Sequence, residues 1–244
     1  MYGPLALVGG DEFHPGNEHQ DEILRDACGG RPAYVVATAA QDFASGAVET
    51  ARRWFAGLAL DVHELRIRTK DDARSSEIVA EAAGAGLVYI AGGDPGWVVE
   101  VLRASPVWKA IAAAWRAGAA LAGSSAGAMA LCEWCLVQTT WPGEVHERSV
   151  DALGLVPGCA ILPHFDVLGD AWVPWAQEGL AQTAQVIGID ERTAAVHRDG
   201  RWEVFGPGAV TILQGQLRHR HIEGERIDEM SNPEPSAGDT VIRT

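Results

Sequence analysis

Basic residues are scarce in this 244-residue chain. Nineteen Lys and Arg stand against thirty-three Asp and Glu, for a formal net charge of −14. So acidic a surface argues against nucleic acid as a partner, because phosphate binding needs a basic face that releases counterions. It argues equally against an anionic membrane surface. No apolar run approaches the roughly 18 residues of a membrane span. The opening MYGPLALVGG has neither the basic start nor the apolar length of a signal peptide, so the expectation is a cytoplasmic protein. Cysteines number only four: Cys28, Cys132, Cys135 and Cys159. That is too few for a disulfide framework at this length. The CEWC spacing from Cys132 to Cys135 suits a redox pair or half a zinc site, but no second CxxC or paired His motif follows. The thiols are expected to pack as small core hydrophobes. The run DEFHPGNEHQDE holds His14, His19 and several acids without regular ligand spacing, and is read as a solvated loop.

What the sequence does contain is alternation. The runs PLALVGG, PAYVVATAA, DVHELRI, LVYIAGGD and AALAGSS read as strands. Between them, AVETARRWFAGLAL, SSEIVAEAAGA (with Ser75 or Ser76 as N-cap) and PVWKAIAAAWRAGA read as helices. Strands alternating with helices predict an α/β three-layer sandwich, a mostly parallel sheet covered on both faces. In such sheets ligands bind beyond the carboxyl ends of the strands. Gly9-Gly10, Gly92-Gly93 and the stretch Gly123 to Gly127 all fall there. The second half is less regular: CLVQTT, CAILPHF, AQVIGIDE and AVTILQG read as shorter strands, and AVHRDGRWEVFG as a hairpin on its Asp199-Gly200 turn. Residues 1–229 are expected to form one domain, and 230–244, aperiodic and rich in Pro and Ser, a poorly ordered tail.

One turn carries a chemical signal. In LAGSSAGAMAL an apolar strand leads through Gly-x-Ser-x-Gly into a helix, the pattern of a nucleophile elbow. The serine of such a turn is strained, so the residues two before and two after it must be small. Gly123 and Gly127 flank Ser125 at that spacing; Ser124 has only Ala122 and Ala126. The Ala126 amide, first in the following helix, is placed to donate to an oxyanion. Tight strand–helix packing alone would also explain the glycines.

GSSAGAM resembles the serine elbow of the peptidase family that contains dipeptidase E and cyanophycinase, built on the class I glutamine amidotransferase-like, flavodoxin-like fold. IAGGDPGWVVEVL resembles the family's oxyanion turn, LGLVPGCAILPHFD its histidine segment, and GIDERTAAVH the acidic segment of cyanophycinases. Together they span about residue 5 to residue 215. The resemblance implies Ser125 as nucleophile, His164 as general base, Glu191 as the acid that orients it, and Gly93 with Ala126 as the oxyanion hole. A serine hydroxyl is nearly inert until an imidazole takes its proton, and that imidazole needs a carboxylate to hold its tautomer. Asp190 stays open as a rival to Glu191, and Asp166 as a weaker one. No metal or organic cofactor is implied. The dipeptidase E version of the triad takes an aspartate from shortly after the serine helix, where this chain reads LVQTTWPGE.

The substrate implied is a small peptide or amide. Cyanophycinases carry a glutamine after the Gly-Gly-Asp turn and arginines shortly after His-Phe. Here the turn continues with Pro95, and FDVLGDAWVPWAQEG holds no arginine, so cyanophycin is not the expected substrate. The nearest cations in sequence are Arg148 and Arg192. Four tryptophans, Trp134, Trp141, Trp172 and Trp175, lie between the elbow and the acidic segment and could line an apolar pocket or simply pack. Two further readings stay open: a catalytically silent ligand- or protein-binding module, and an esterase using the same triad. A homodimer is also compatible with the sequence.

Overall fold

Every strand residue from Leu5 to Val8 is buried, yet alternate side chains enter different cores: Leu5 and Leu7 one, Ala6 and Val8 the other. That two-sided burial makes the central strands read as continuous apolar runs. The computed structural model describes residues 2–141, 144–178, 180 and 184–233. In chain order the first half runs β1 (Leu5–Val8), α1 (Glu18–Cys28), β2 (Ala33–Val36), α2 (Ala44–Gly57), β3 (Val62–Glu64), α3 (Ser76–Ala83), β4 (Leu87–Ile90), α4 (Pro95–Leu102), α5 (Pro106–Arg116), β5 (Ala120–Ser124) and α6 (Ala126–Leu131). The second half runs β6 (Trp134–Trp141), β7 (Glu144–Asp151), β8 (Cys159–Leu162), α7 (Phe165–Leu168), α8 (Val173–Glu178), β9 (Gln185–Ile189), β10 (Ala194–Arg198), β11 (Arg201–Phe205), β12 (Ala209–Gln214), β13 (Leu217–Ile222) and β14 (Arg226–Ile227).

The main sheet has the order β14-β11-β10-β1-β5-β4-β2-β3. From β1 to β3 all neighbours are parallel; β10, β11 and β14 extend one edge antiparallel. Helices α1 and α2 supply Leu24 and Phe55 to the core on one face, and α5 supplies Ile111 and Trp115 to the core on the other. The expected three-layer α/β sandwich is the fold. A second sheet, β13-β12-β9-β8, pairs β8 with β9 in parallel and the rest antiparallel, while β6 and β7 form a separate hairpin.

Local chemistry explains several boundaries. Ser105 caps α5 by accepting the Trp108 amide at 3.0 Å, with Pro106 in the first helical position. Asp94 and Pro95 do the same for α4. At α3 the N-cap is Ser75, whose side chain makes no capping bond. The β10–β11 hairpin turns on Asp199 and Gly200, both at positive φ.

One sequence reading needs correction, and one edge strand escaped notice. DEFHPGNEHQDE is not a solvated loop: Phe13, Asn17, Gln20 and Asp21 are buried, and α1 starts inside it. The strand β13, LRHRHI, had no apolar alternation to reveal it because nearly all of it is exposed on the sheet edge. At the C-terminus Met230 is buried, and the Trp202 indole donates to the Ser231 carbonyl at 2.9 Å. The remainder of the expected tail, 234–244, lies outside the described residues. Among the described residues no helix is long and apolar enough to cross a membrane.

Candidate active site

The register of the parallel strands brings the three glycine turns together. Val8 pairs with Ser124, and Ile90 with Gly123, so β1, β4 and β5 end at the same edge. Ser125 follows β5 at φ 47°, ψ −113°, a conformation that costs roughly 1–3 kcal/mol in a residue with a side chain. Its amide donates to the Val8 carbonyl at 2.9 Å, which fixes the turn to the neighbouring strand. The flanking glycines are required by contact. A Cβ on Gly123 would stand 2.5 Å from the Gly127 carbonyl, and one on Gly127 would stand 2.2 Å from the Ile90 oxygen. The small-residue turn is therefore both a packing device and an elbow.

His164 lies just beyond β8 and Glu191 just beyond β9, the parallel pair of the second sheet. The Ser125 Oγ is 3.0 Å from His164 Nε2, and His164 Nδ1 is 2.8 Å from Glu191 Oε1. With Nδ1–H donating to a carboxylate, Nε2 is left as the acceptor for the serine hydroxyl. The imidazole is held from two sides. Its residue's amide donates to the Gly9 carbonyl at 2.7 Å, and its ring lies so close to Gly10 that a Cβ there would meet the ring carbon at 2.2 Å. Gly10, at φ 124°, thus does what only glycine can do at this place.

The rival carboxylates have other tasks. Asp190 Oδ2 accepts the Ala209 amide at 2.9 Å, and burial raises its pKa above the usual carboxylate range. Asp166 Oδ1 accepts the Glu191 amide at 2.9 Å and so holds the acidic loop. Glu191 is the acid that the fold brings to His164.

Gly93 sits at φ 137°, and a Cβ on it would lie 2.2 Å from the Ala39 carbonyl oxygen. Among the described residues, neither the Gly93 amide nor the Ala126 amide is taken up by a protein acceptor. Ala126 directly follows Ser125, and Gly93 follows Gly92, where a Cβ would lie 3.3 Å from the Ser125 Cβ.

Sequence reading missed Glu12. Its carboxylate accepts the Gly92 amide and the Ser124 hydroxyl, each at 2.8 Å, directly behind the nucleophile turn. The one available signal was its place, two residues past the Gly9-Gly10 turn. The reading also passed over two cations near the histidine segment. Arg192 is engaged by Asp11 at 3.4 Å, and Arg148 lies exposed on the hairpin. On β13, Arg218 and Arg220 line a cleft beside the histidine segment with Phe165, Asp166, Asp190 and Thr211. The Arg218 guanidinium lies 5.6 Å above the Phe165 ring. Trp134 and Trp172 pack against the main core, and the side chains of Trp141 and Trp175 lie outside those described. All four cysteines are free and buried, and burial pushes the Cys135 thiol up to about 12.

The sequence model of peptidase family S51 matches residues 5–205. Over 158 residues the chain is 34% identical to the cyanophycinase of Nostoc sp. (strain PCC 7120 / SAG 25.82 / UTEX 2576), covering 62% of this chain and 53% of that protein. The cyanophycinase of Trichormus variabilis (strain ATCC 29413 / PCC 7937) matches at the same identity and coverage. The chain thus spans about half the length of the curated relatives it matches. The crystal structure of a peptidase from an acI-B1 Actinobacterium superposes with a TM-score of 0.79 at 30% identity, covering 93% of this chain and 97% of that one.

Proposed function

The chain belongs to peptidase family S51, and on that premise we propose that it is a serine peptidase cleaving a small peptide or amide through an acyl-enzyme. The observation that carries the reading is the line Ser125 Oγ, His164 Nε2, His164 Nδ1, Glu191 Oε1, with separations of 3.0 and 2.8 Å.

Ser125 Oγ attacks the scissile carbonyl carbon as its proton passes to His164 Nε2. The Gly93 and Ala126 amides receive the developing oxyanion, each good donor lowering the barrier by about 3 to 4 kcal/mol. The intermediate collapses, and His164 returns the proton to the departing amine. Water then attacks the acyl-serine, again with His164 as base, and releases the acid. Glu191 holds the imidazole tautomer and stabilises its cationic form at both stages.

Two features of the sequence count against cyanophycin as the substrate, despite the names of the curated relatives. The turn after Gly93 continues through Asp94 into Pro95, which starts α4, and the segment after His164 carries no arginine. The non-catalytic alternative is disfavoured by the hydroxyl and imidazole standing within hydrogen-bond reach.

A fluorophosphonate probe tests the proposal. The expected result is a single adduct on Ser125, absent in Ser125→Ala; no adduct on a folded wild-type protein would overturn it. A library of dipeptides and acyl esters then separates peptidase from esterase.

A further inference from the structure

We infer that Glu12 is a positioning residue that locks the oxyanion turn to the nucleophile elbow. The inference rests on the serine-peptidase reading of the same site. Oε1 of Glu12 accepts the Gly92 amide and Oε2 accepts the Ser124 hydroxyl, both at 2.8 Å. Gly92 follows β4 and Ser124 ends β5, so one rigid carboxylate bridges two adjacent strand ends. One residue further along each chain stand Gly93 and Ser125. The distance between oxyanion donor and nucleophile is thereby set by a group that touches neither.

The packing leaves little slack. A Cβ on Gly92 would fall 3.2 Å from Glu12 Oε1 and 3.3 Å from the Ser125 Cβ, so carboxylate, turn and nucleophile are stacked together.

The loop carrying Glu12 is itself held at a cost. Asp11 and Phe13, on either side of it, both adopt positive φ, at 52° and 61°. Such strain persists only where the surroundings over-determine it. Here Phe13 is buried against Phe55 and Tyr89. The buried Asn17 amide donates to the carbonyls of Asp11 and His14, each at 2.9 Å, and Gln20 in turn donates to Asn17 Oδ1. The loop is anchored from below so that Glu12 presents both oxygens to the strand ends.

The role is geometric, not one of charge. A negative group beside an oxyanion hole works against the charge that develops there, so its value lies in accepting two hydrogen bonds at a fixed spacing. A glutamine can preserve both: its oxygen accepts the Gly92 N–H, and its NH2 donates to the Ser124 hydroxyl, which can act as acceptor. Alanine preserves neither.

The experiment is the kinetics of phosphonylation by the fluorophosphonate probe, in which the Ser125 Oγ–P bond forms, fluoride leaves and the proton passes to His164. In Glu12→Ala the saturating rate constant is expected to fall about ten- to a hundredfold, with the half-saturating probe concentration unchanged, since small misplacements of reacting groups have effects of that size. Glu12→Gln is expected to recover to within about threefold of wild type. Ser124→Ala, which removes one arm only, is expected to lie between, and combined with Glu12→Ala to add little further. A wild-type rate in Glu12→Ala would overturn the inference. So would a Glu12→Gln variant as slow as Glu12→Ala, which would assign the role to the charge. If the wild type itself fails to label, the serine reading fails first, so the two failures are distinct.

Discussion

Glu191 Oε1 meets His164 Nδ1 at 2.8 Å, while its neighbour Asp190 is turned onto the Ala209 amide. Two adjacent acids in one loop thus have separate duties. Glu191→Gln should lower the probe-labelling rate by about a thousandfold or more, because an amide can leave the imidazole in the wrong tautomer. Asp190→Asn should leave far more of that rate. A larger loss in Asp190→Asn than in Glu191→Gln would reverse the assignment.

Asp166 acts on the imidazole at one remove, by accepting the Glu191 amide at 2.9 Å. Asp166→Ala should lower the labelling rate about tenfold without changing the half-saturating probe concentration. Asp166→Asn keeps an acceptor oxygen and should restore most of the rate. A loss shared equally by both variants would show that the Asp166 charge, not its hydrogen bond, matters.

The Gly127 position has no room for a methyl group, since its Cβ would lie 2.2 Å from the Ile90 oxygen. Gly127→Ala should destabilise the fold by about 1–3 kcal/mol as α6 is pushed off β4. Ser125 immediately precedes that helix, so labelling should weaken too. Thermal melting and probe kinetics on one preparation check both effects.

Asp21 is fully buried and accepts a hydrogen bond from the Trp54 indole at 2.8 Å, and among the described residues its other oxygen has no partner. Burial raises its pKa to about 8. The unfolded chain releases this proton near pH 4, whereas the folded protein keeps it until about pH 8. Between those values the folded state binds the extra proton, so this group's contribution makes stability fall as pH rises. Asp21→Asn keeps the acceptor without the ionisation. It should be more stable than wild type by on the order of a few kcal/mol above pH 8, with the gain vanishing near pH 4. Denaturant melts at several pH values measure it; a gain independent of pH would refute the account.

The CEWC thiols should be silent. With Cys132 and Cys135 both buried and their thiols pushed up by burial, the thiolate fraction at neutral pH is negligible. A maleimide should modify neither in the native protein and both after denaturation. Rapid native labelling would revive the redox reading.

What the sequence determined by itself was whatever local sterics or strand burial dictate. Gly123 and Gly127 distinguished Ser125 from Ser124 because an elbow tolerates only small residues at those offsets, and that constraint acts within five residues. The parallel sheet was legible because its strands are buried on both faces and so read as unbroken apolar runs. The assignment of His164 and Glu191 came from motif resemblance, and composition alone would not have found them. Tertiary structure decided the rest. The choice between Asp190 and Glu191 turns on how β8 and β9 pair, and adjacent residues in one loop carry no local mark of which faces the imidazole. Glu12 was hidden because its partners, Gly92 and Ser124, lie 80 and 112 residues away. Arg218 and Arg220 were hidden because an exposed edge strand needs no apolar pattern. Hydrogen bonds between distant segments leave little trace in local periodicity, and in this protein they set the geometry around the nucleophile.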